Sequence, residues 1–396
     1  MVKLSARSIA KELSNIPDWK TNRHIVVFES DDWGSLRMPS VGSFKRLEKS
    51  GINLRYGDIQ RFNLNDTLAR RQDLGALFEV LSSVKDSMGK NAVFTSVCVV
   101  ANPDFEKIEA SGFQEYYYEP FTETLKRSPG CENAMELWKE GLEKELFVPQ
   151  MHGREHLNVI AWMKALQAAE KQTLSAFREG VWGFKPSLNH LSSYQAAFDL
   201  ADPEDLVYHK GVICDGLNLF EELFGYKAVF FVPPNGVFNN SLNQVLAGMG
   251  IRYRSGSKVQ IEAVRLGKTR IRLHYHGQKD RYGISYILRN CVFEPSRDGQ
   301  NPVDRCLNDI DAAFSWQKPA IISTHRVNFV GGLHPENRDH GLRQLSSLLN
   351  EIVKRWPDVE FMSTEKLGGL MDDDDRMFNE RLHDQVFTER DAMIGV

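Results

Sequence analysis

The stretch His24–Ser35, HIVVFESDDWGS, runs apolar, β-branched residues straight into two adjacent acids and an indole. Ile25, Val26, Val27 and Phe28 have the composition of a strand covered on both faces, which is a strand of a parallel sheet. Side chains alternate along a strand, so Asp31 and Asp32 would face opposite ways inside it. At the carboxyl end that constraint lapses, and both can turn toward the space above the sheet, where barrels and doubly wound sheets keep their active sites. Adjacent bare carboxylates repel each other. A divalent cation relieves the repulsion: one acid ligates it and the other accepts a proton from water. Asp at a strand-to-helix junction also serves as an N-cap or Asx turn, so the pair alone leaves both uses open.

The same pattern recurs along the chain. NAVFTSVCVV (91–100), ELFVPQ (145–150), KAVFFVP (227–233), TRIRLHYHG (269–277), GISYILRNCVF (283–293), PAIISTH (319–325) and VEFMST (359–364) read as further strands. Between them lie amphipathic stretches. DLGALFEVLSSVKDSMG (73–89) sets Leu74, Leu77, Phe78 and Leu81 on one face and meets a stop at Gly89; SLNQVLAGMG stops at Gly250; VDRCLNDIDAAFSW stops before Pro319. Strand–helix alternation implies an α/β fold with a parallel sheet, open or closed into a barrel. Residues 1–370 are expected to form one such domain. Insertions near 51–149 and 157–226 are expected at its mouth, and the acidic stretch 371–396 reads as a tail or surface helix.

Composition narrows the function. The 396 residues are 42% hydrophobic with net charge −4, which is globular and carries no footprint for nucleic acid. No run approaches the ~18 apolar residues of a membrane span. The start has no apolar core of a signal peptide. Five scattered cysteines (Cys98, Cys131, Cys214, Cys291, Cys306) form no CxxC pair, so neither a disulfide frame nor a thiolate zinc site is signalled. A cytoplasmic setting is the expectation.

Three further pieces fall at strand ends. In VPQMHGREHLNVIAW (148–162), His152 and His156 straddle the expected start of a helix, and their i, i+4 spacing would put both imidazoles on one face for a shared metal. Two His and one Asp make a three-ligand site with open positions, as a hydrolytic metal requires. In FFVPPNGVFNN (230–240), Pro233 and Pro234 stiffen a turn in which Gly236 permits positive φ, so the Asn235 N–H can be aimed at a reacting oxygen; an ordinary tight turn has the same sequence. In PAIISTHRVNF (319–329), His325 ends a buried strand.

In this order and placement, the four pieces resemble the polysaccharide deacetylases of the NodB-like carbohydrate esterase family. That family's Thr-Phe-Asp-Asp-Gly is matched by Glu29-Ser30-Asp31-Asp32-Trp33, and its His-Ser/Thr-x-x-His by His152-Gly153-Arg154-Glu155-His156. Its Arg-x-Pro-aromatic-Gly is matched by Val232-Pro233-Pro234-Asn235-Gly236, and its terminal His-Asp by His325-Arg326. The resemblance implies a distorted (β/α) barrel of the glycoside hydrolase/deacetylase type, with helical and loop insertions at the barrel mouth. It implies that Asp32, His152 and His156 bind the metal, that Asp31 is the base and His325 the acid, and that the Asn235 N–H stabilises the oxyanion. Trp33, Pro234, Gly236 and Arg326 are expected to contact substrate. Mixed N/O ligation suits Zn²⁺.

The sequence departs from the family in four places. Val232 stands where the family has Arg, no Asp-Trp equivalent of its fourth motif is found, Trp33 replaces Gly, and Arg326 replaces Asp. The missing Arg and Asp position and tune the base in the family; Arg326 or Arg154 are the candidates to stand in. The implied activity is removal of N- or O-linked acetyl groups from a sugar or oligosaccharide. Two rival readings remain: a metal-containing glycan-binding protein without turnover, and an amidohydrolase acting on a small non-carbohydrate amide. Tyr116, Tyr117 and Tyr118 suit sugar stacking but read better as packing. His274 and His276 could pair on one strand face, and His190 reads as a loop residue.

Overall fold

The computed structural model describes residues 15–184, 193–265, 268–297, 299 and 301–376. Thirteen strands occur in it: β1 Ile25–Trp33, β2 Phe94–Val99, β3 Ala101–Pro103, β4 Tyr118–Pro120, β5 Phe147–Gly153, β6 Phe230–Phe231, β7 Tyr253–Gly256, β8 Val259–Arg265, β9 Lys268–Leu273, β10 Ser285–Leu288, β11 Cys291–Val292, β12 Ala320–His325 and β13 Glu360–Phe361. Nine of them make one sheet in the order β10-β7-β6-β5-β2-β1-β12-β11, with β13 beside the start of β1. Every pairing in this sheet is parallel. All carboxyl ends therefore share one edge.

The two ends of that path, β10 and β11, are separated in sequence only by Arg289 and Asn290. Consecutive Cα atoms lie ~3.8 Å apart, so Leu288 and Cys291 stand within about 11 Å. Laid flat at ~4.8 Å per strand, the same path would hold its edges roughly 34 Å apart. The sheet must curl. The run 285–292 pairs with β7 through its first half and with β12 through its second, and so bridges the edges of a distorted (β/α) barrel, the fold class expected from the sequence.

Continuous apolar strands follow from this curl. On β1, Ile25 and Val27 join Val97, Phe230, Tyr253, Ile287 and Ile321, from strands around the sheet, in one interior cluster. Val26 and Phe28 face the other way, packing with Leu77, Leu345 and Leu349 of the surrounding helices. Fully burying each such side chain stabilises the fold by about 1.5–3 kcal/mol. Among the described residues, no helix is long and apolar enough to cross a membrane.

Several expectations need correction. The helix expected to reach Gly89 spans Arg71–Ser82; beyond it the Asp86 carboxylate accepts from the Met88 and Lys90 N–H groups, folding that segment into a turn instead. Within the 269–277 run, β9 lies outside the main sheet: it pairs antiparallel with β8 alone, and all its side chains but Arg272 are exposed. The stretch 51–149, expected to carry insertions, also holds β2, at the place where 91–100 reads as a strand. The expected tail extends beyond residue 376, outside the described residues.

Candidate metal centre and active site

Two β-bulges build the centre. In the β1–β2 pairing, Ser30 faces Ser96 and Trp33 faces Cys98, so Asp31 and Asp32 together oppose one residue. Asp32 takes φ +74°, a left-handed conformation that Asp tolerates better than most residues. The bulge removes the alternation that would separate the two acids, and both line the cavity above the strand ends. In the β2–β5 pairing, Cys98 faces Met151 and Val99 faces Gly153, which leaves His152 as the extra residue of a second bulge. Gly153 follows at φ +140°, and a Cβ there would crowd the Glu155 carbonyl.

The side chains of Asp32, His152 and His156 converge, each buried, with one ligand atom apiece lying within 4.8 Å of the others. Asp32 Oδ1 is 3.4 Å from His152 Nε2 and 3.3 Å from His156 Nε2. His156 reaches this position differently from the expected i, i+4 helical pair. The helix begins only at Val159, behind the Asn158 N-cap, and His156 sits in the preceding loop. Arg154 braces that loop through two bonds to Glu155 (2.6 and 3.0 Å), and the His156 ring stacks on Trp182.

These residues fit a cation. His152 Nδ1 lies 2.8 Å from the Val232 carbonyl, which can only accept, so Nδ1 carries the proton. A neutral His152 then turns the Nε2 lone pair toward the Asp32 carboxylate. Burial lowers the His156 imidazole, favouring its neutral form, and His156 Nδ1 has no hydrogen-bond partner. Burial alone would raise the Asp32 carboxyl; imidazoles that direct N–H groups and charge at it outweigh burial and keep Asp32 well below the usual carboxylate range, and where they turn lone pairs to it a cation must take that role. Facing acceptors at this spacing need a positive charge between them, and an O,N,N donor set suits a divalent metal.

Around the triad stand two ion pairs that sequence reasoning missed. Arg289 donates from Nη1 and Nη2 to the two oxygens of Asp31, each at 2.6 Å, and from Nε to Glu29 at 2.6 Å. Burial alone would raise the Asp31 carboxyl; the Arg289 charge outweighs it, and Asp31 stays below its ordinary range. Across the β1–β12 pairing, Asp31 is in register with His325, whose Nε2 is 3.9 Å from Asp31 Oδ2. His325 Nδ1 is 2.5 Å from Glu294 Oε1. Burial would lower this imidazole, but Glu294 raises it to about 9, so it is cationic at neutral pH. The only sequence signal for Arg289 was a charge interrupting the apolar run 283–293.

Asn235, at φ +54°, and Gly236 line the same cavity, whose volume is about 570 Å³. Three expected contacts are corrected. Trp33 is 1% exposed, packed edge-on against Trp138 and Phe147 while its Nε1 donates to Ser30 Oγ, so no sugar can reach its ring. Arg326 is wholly buried, donating to Asp66 and to the Ser35 carbonyl; it neither touches the cavity nor replaces the missing Arg. Pro234 is buried behind the wall, near Gly153. Arg154, the other candidate stand-in, is engaged with Glu155 and Asp215.

Tyr116 packs on Trp162, and Tyr118 lies under Arg154. His274 stacks on Tyr286 and bonds Gln260, while His276 is buried and accepts from the Leu288 N–H, so the two do not form a metal pair. His190 lies outside the described residues.

No protein-family model matches the chain, and no curated protein matches it in sequence. Solved structures do match its fold. A chain from Mycobacterium smegmatis assigned as a polysaccharide deacetylase shares 12% identity over 90% of this chain and 93% of its own, with a TM-score of 0.42. PuuE allantoinase shares 12% identity over 92% and 95%, with a TM-score of 0.42. A CE4-family pseudoenzyme from Bacillus anthracis shares 9% over 88% and 66%, with a TM-score of 0.36. At such values the fold assignment rests on strand order and register, and the chemistry rests on the site itself.

Proposed function

We propose that this chain is a metal-dependent hydrolase that removes acetyl groups, N- or O-linked, from a carbohydrate. One observation carries the reading: an acid clamped by Arg289 and an imidazole charged by Glu294 face each other beside the Asp32–His152–His156 triad, in one cavity. The volume falls in the range of small-ligand sites, roughly 300–1,000 Å³. The choice of an acetylated sugar rests on the sequence motifs.

A divalent cation on the triad, with Zn²⁺ favoured by the donor set, would supply Lewis acidity and bring the pKa of water from ~15.7 toward ~7. Asp31 takes the proton of the attacking water. Its two bonds to Arg289 hold the carboxylate ionised and fix its orientation, so it is a positioned base. The N–H of Asn235 donates to the oxygen that gains charge as the acetyl carbon becomes tetrahedral; one such donor is worth about 3–4 kcal/mol. His325, with Nδ1 committed to Glu294, gives its Nε2 proton to the departing sugar nitrogen or oxygen. The products are the deacetylated sugar and acetate.

The test is acetate release by the metal-loaded chain from a panel of acetylated oligosaccharides, nucleotide-linked sugars and small amides. Release from the sugars, lost in Asp31→Asn, is expected. Binding of the sugars without any release would identify a glycan-binding protein, and release from small amides alone an amidohydrolase.

A further inference from the structure

We propose that the cavity recognises an oxyanion, a carboxylate or phosphate carried by the substrate, through Arg37 with Arg254 in support. This deepens the reading of the cavity as a substrate site and rests on it.

Arg37 lines the cavity, yet it is only 5% exposed, and its Nε and Nη2 have no hydrogen-bond partner. Its guanidinium carbon lies 4.6 Å from the centre of the Phe62 ring, a flat apolar support that satisfies no N–H. The acids nearest to it are committed elsewhere. Asp66 accepts from Arg326 at 2.9 Å, and Asp32 belongs to the triad. The other acids on the cavity wall also have cations of their own: Asp31 has Arg289, and Asp58 has Arg61 and Arg297.

Arg254 is an independent second case. It is 1% exposed and lines the same cavity, and its hydrogen bonds go to neutral amide oxygens of Asn240, Asn243 and Gln260, while its Nε is unpartnered. Among the described residues, neither arginine is in an ion pair.

A buried guanidinium without a hydrogen-bonded counter-charge costs folding free energy, because its hydration is lost and the more distant Asp66 and Asp32 offset only part of it. The chain nevertheless fixes the loop that leads into Arg37. Gly34 sits so close to the Val99 carbonyl that a Cβ would approach to 2.3 Å. Asn102 donates to the Gly34 carbonyl and accepts from the Leu36 N–H, and Arg326 donates to the Ser35 carbonyl. A rigid loop holding an unpaired planar guanidinium at the wall of a cavity suits two oxygens of a carboxylate or phosphate, the pairing in which Arg excels. The preferred substrate is therefore an acidic or phosphorylated acetamido sugar rather than a neutral one.

Calorimetric titration of the full Zn²⁺-loaded chain with three probes tests this: N-acetylglucosamine, its 6-phosphate, and the corresponding uronic acid. Wild type should bind at least one charged probe tenfold or more tightly than the neutral sugar, and the two charged arms tell which oxyanion is read. Arg37→Met should lose that preference, and Arg37→Lys should restore part of it. Without probe, Arg37→Met should melt no lower than wild type. Equal affinity of wild type for charged and neutral probes overturns the proposal whether or not the variant folds. So does a preference that survives in Arg37→Met, which would place the anion on the metal, or a lower melting temperature in Arg37→Met, which would make Arg37 structural. Each readout is binding or melting, so absence of acetate release would sink the hydrolase reading alone.

Discussion

Arg289 grips both oxygens of Asp31 from the point where the barrel closes, and its remaining arm holds Glu29. Asp31 lies near the end of β1 and Arg289 follows β10, so neighbours in space come from strands five steps apart along the path through β7, β6, β5 and β2, and from opposite sides of its closing seam. Arg289→Met should therefore act on the base without touching a metal ligand. Burial, then opposed only by the weaker pull of His152 and His325, should carry the Asp31 carboxyl upward from below its ordinary 3.8. A base works only when deprotonated, so the acid limb of kcat/KM should move to higher pH while metal content stays constant. An unmoved limb would mean that Arg289 does not set the charge of Asp31.

Asp31→Asn separates base from ligand. The triad atoms belong to Asp32, His152 and His156, so stoichiometric metal should remain by elemental analysis. Turnover should fall by about 10²–10⁴-fold, the usual contribution of a positioned base. Loss of metal together with turnover would place Asp31 among the ligands.

Glu294→Gln addresses the acid. With the carboxylate gone, burial should pull the His325 imidazole down from about 9 toward or below 6.5. The alkaline limb of the rate profile should move the same way. The sign for stability follows from linkage: a folded-state pKa raised above the unfolded value contributes stability that is complete below about pH 6.5 and lost as pH rises through about 9. Melting temperatures should show wild type losing its margin over Glu294→Gln across that window. Parallel melting curves from pH 6 to 10 would refute the pairing.

Asp32 can be tested through its backbone. Holding a non-glycine residue at φ +74° costs about 1–2 kcal/mol. Asp32→Gly and Asp32→Ala should both abolish tight metal binding, and metal-free Asp32→Gly should melt higher than metal-free Asp32→Ala because only Gly relieves the strain. In wild type, chelation should lower the melting temperature and added Zn²⁺ restore it, by about 2.7 kcal/mol at a free concentration 100 times Kd. Calorimetry of the three proteins with and without chelator measures all of this.

The site's outline was legible because each of its first four pieces stands where an apolar run meets a polar residue, which marks a strand end whatever the tertiary fold. Local pattern could not show which charge faces which. Arg289 and Glu294 lie in a run without a motif, and their partners Asp31 and His325 are at least 31 positions away in sequence. Arg37 gave no signal, since an unpartnered guanidinium is visible only once its surroundings are. Trp33 and Arg326 were misjudged for a related reason: motif alignment places a residue along the chain but not on a side of the strand. The bulge that turns Asp31 and Asp32 toward the cavity leaves Trp33 among the helices.

Arg326 shows how far a residue beside a motif can act without meeting substrate. It is wholly buried; its Nε donates to Asp66 at 2.9 Å and its Nη1 to the Ser35 carbonyl at 2.6 Å. Removing it strands a buried carboxylate, and breaking such a pair costs about 3–5 kcal/mol. Arg326→Met should therefore lower stability by that order in urea unfolding. Replacing both partners removes the stranded charge, so Arg326→Met with Asp66→Leu should recover a large part of the loss. The Ser35 carbonyl stays without its donor in both proteins, so the loop that presents Arg37 should remain looser than in wild type, visible as faster amide exchange at residues 34–37. A double variant as unstable as the single one would show that the buried charge on Asp66 is not what Arg326 is there to balance.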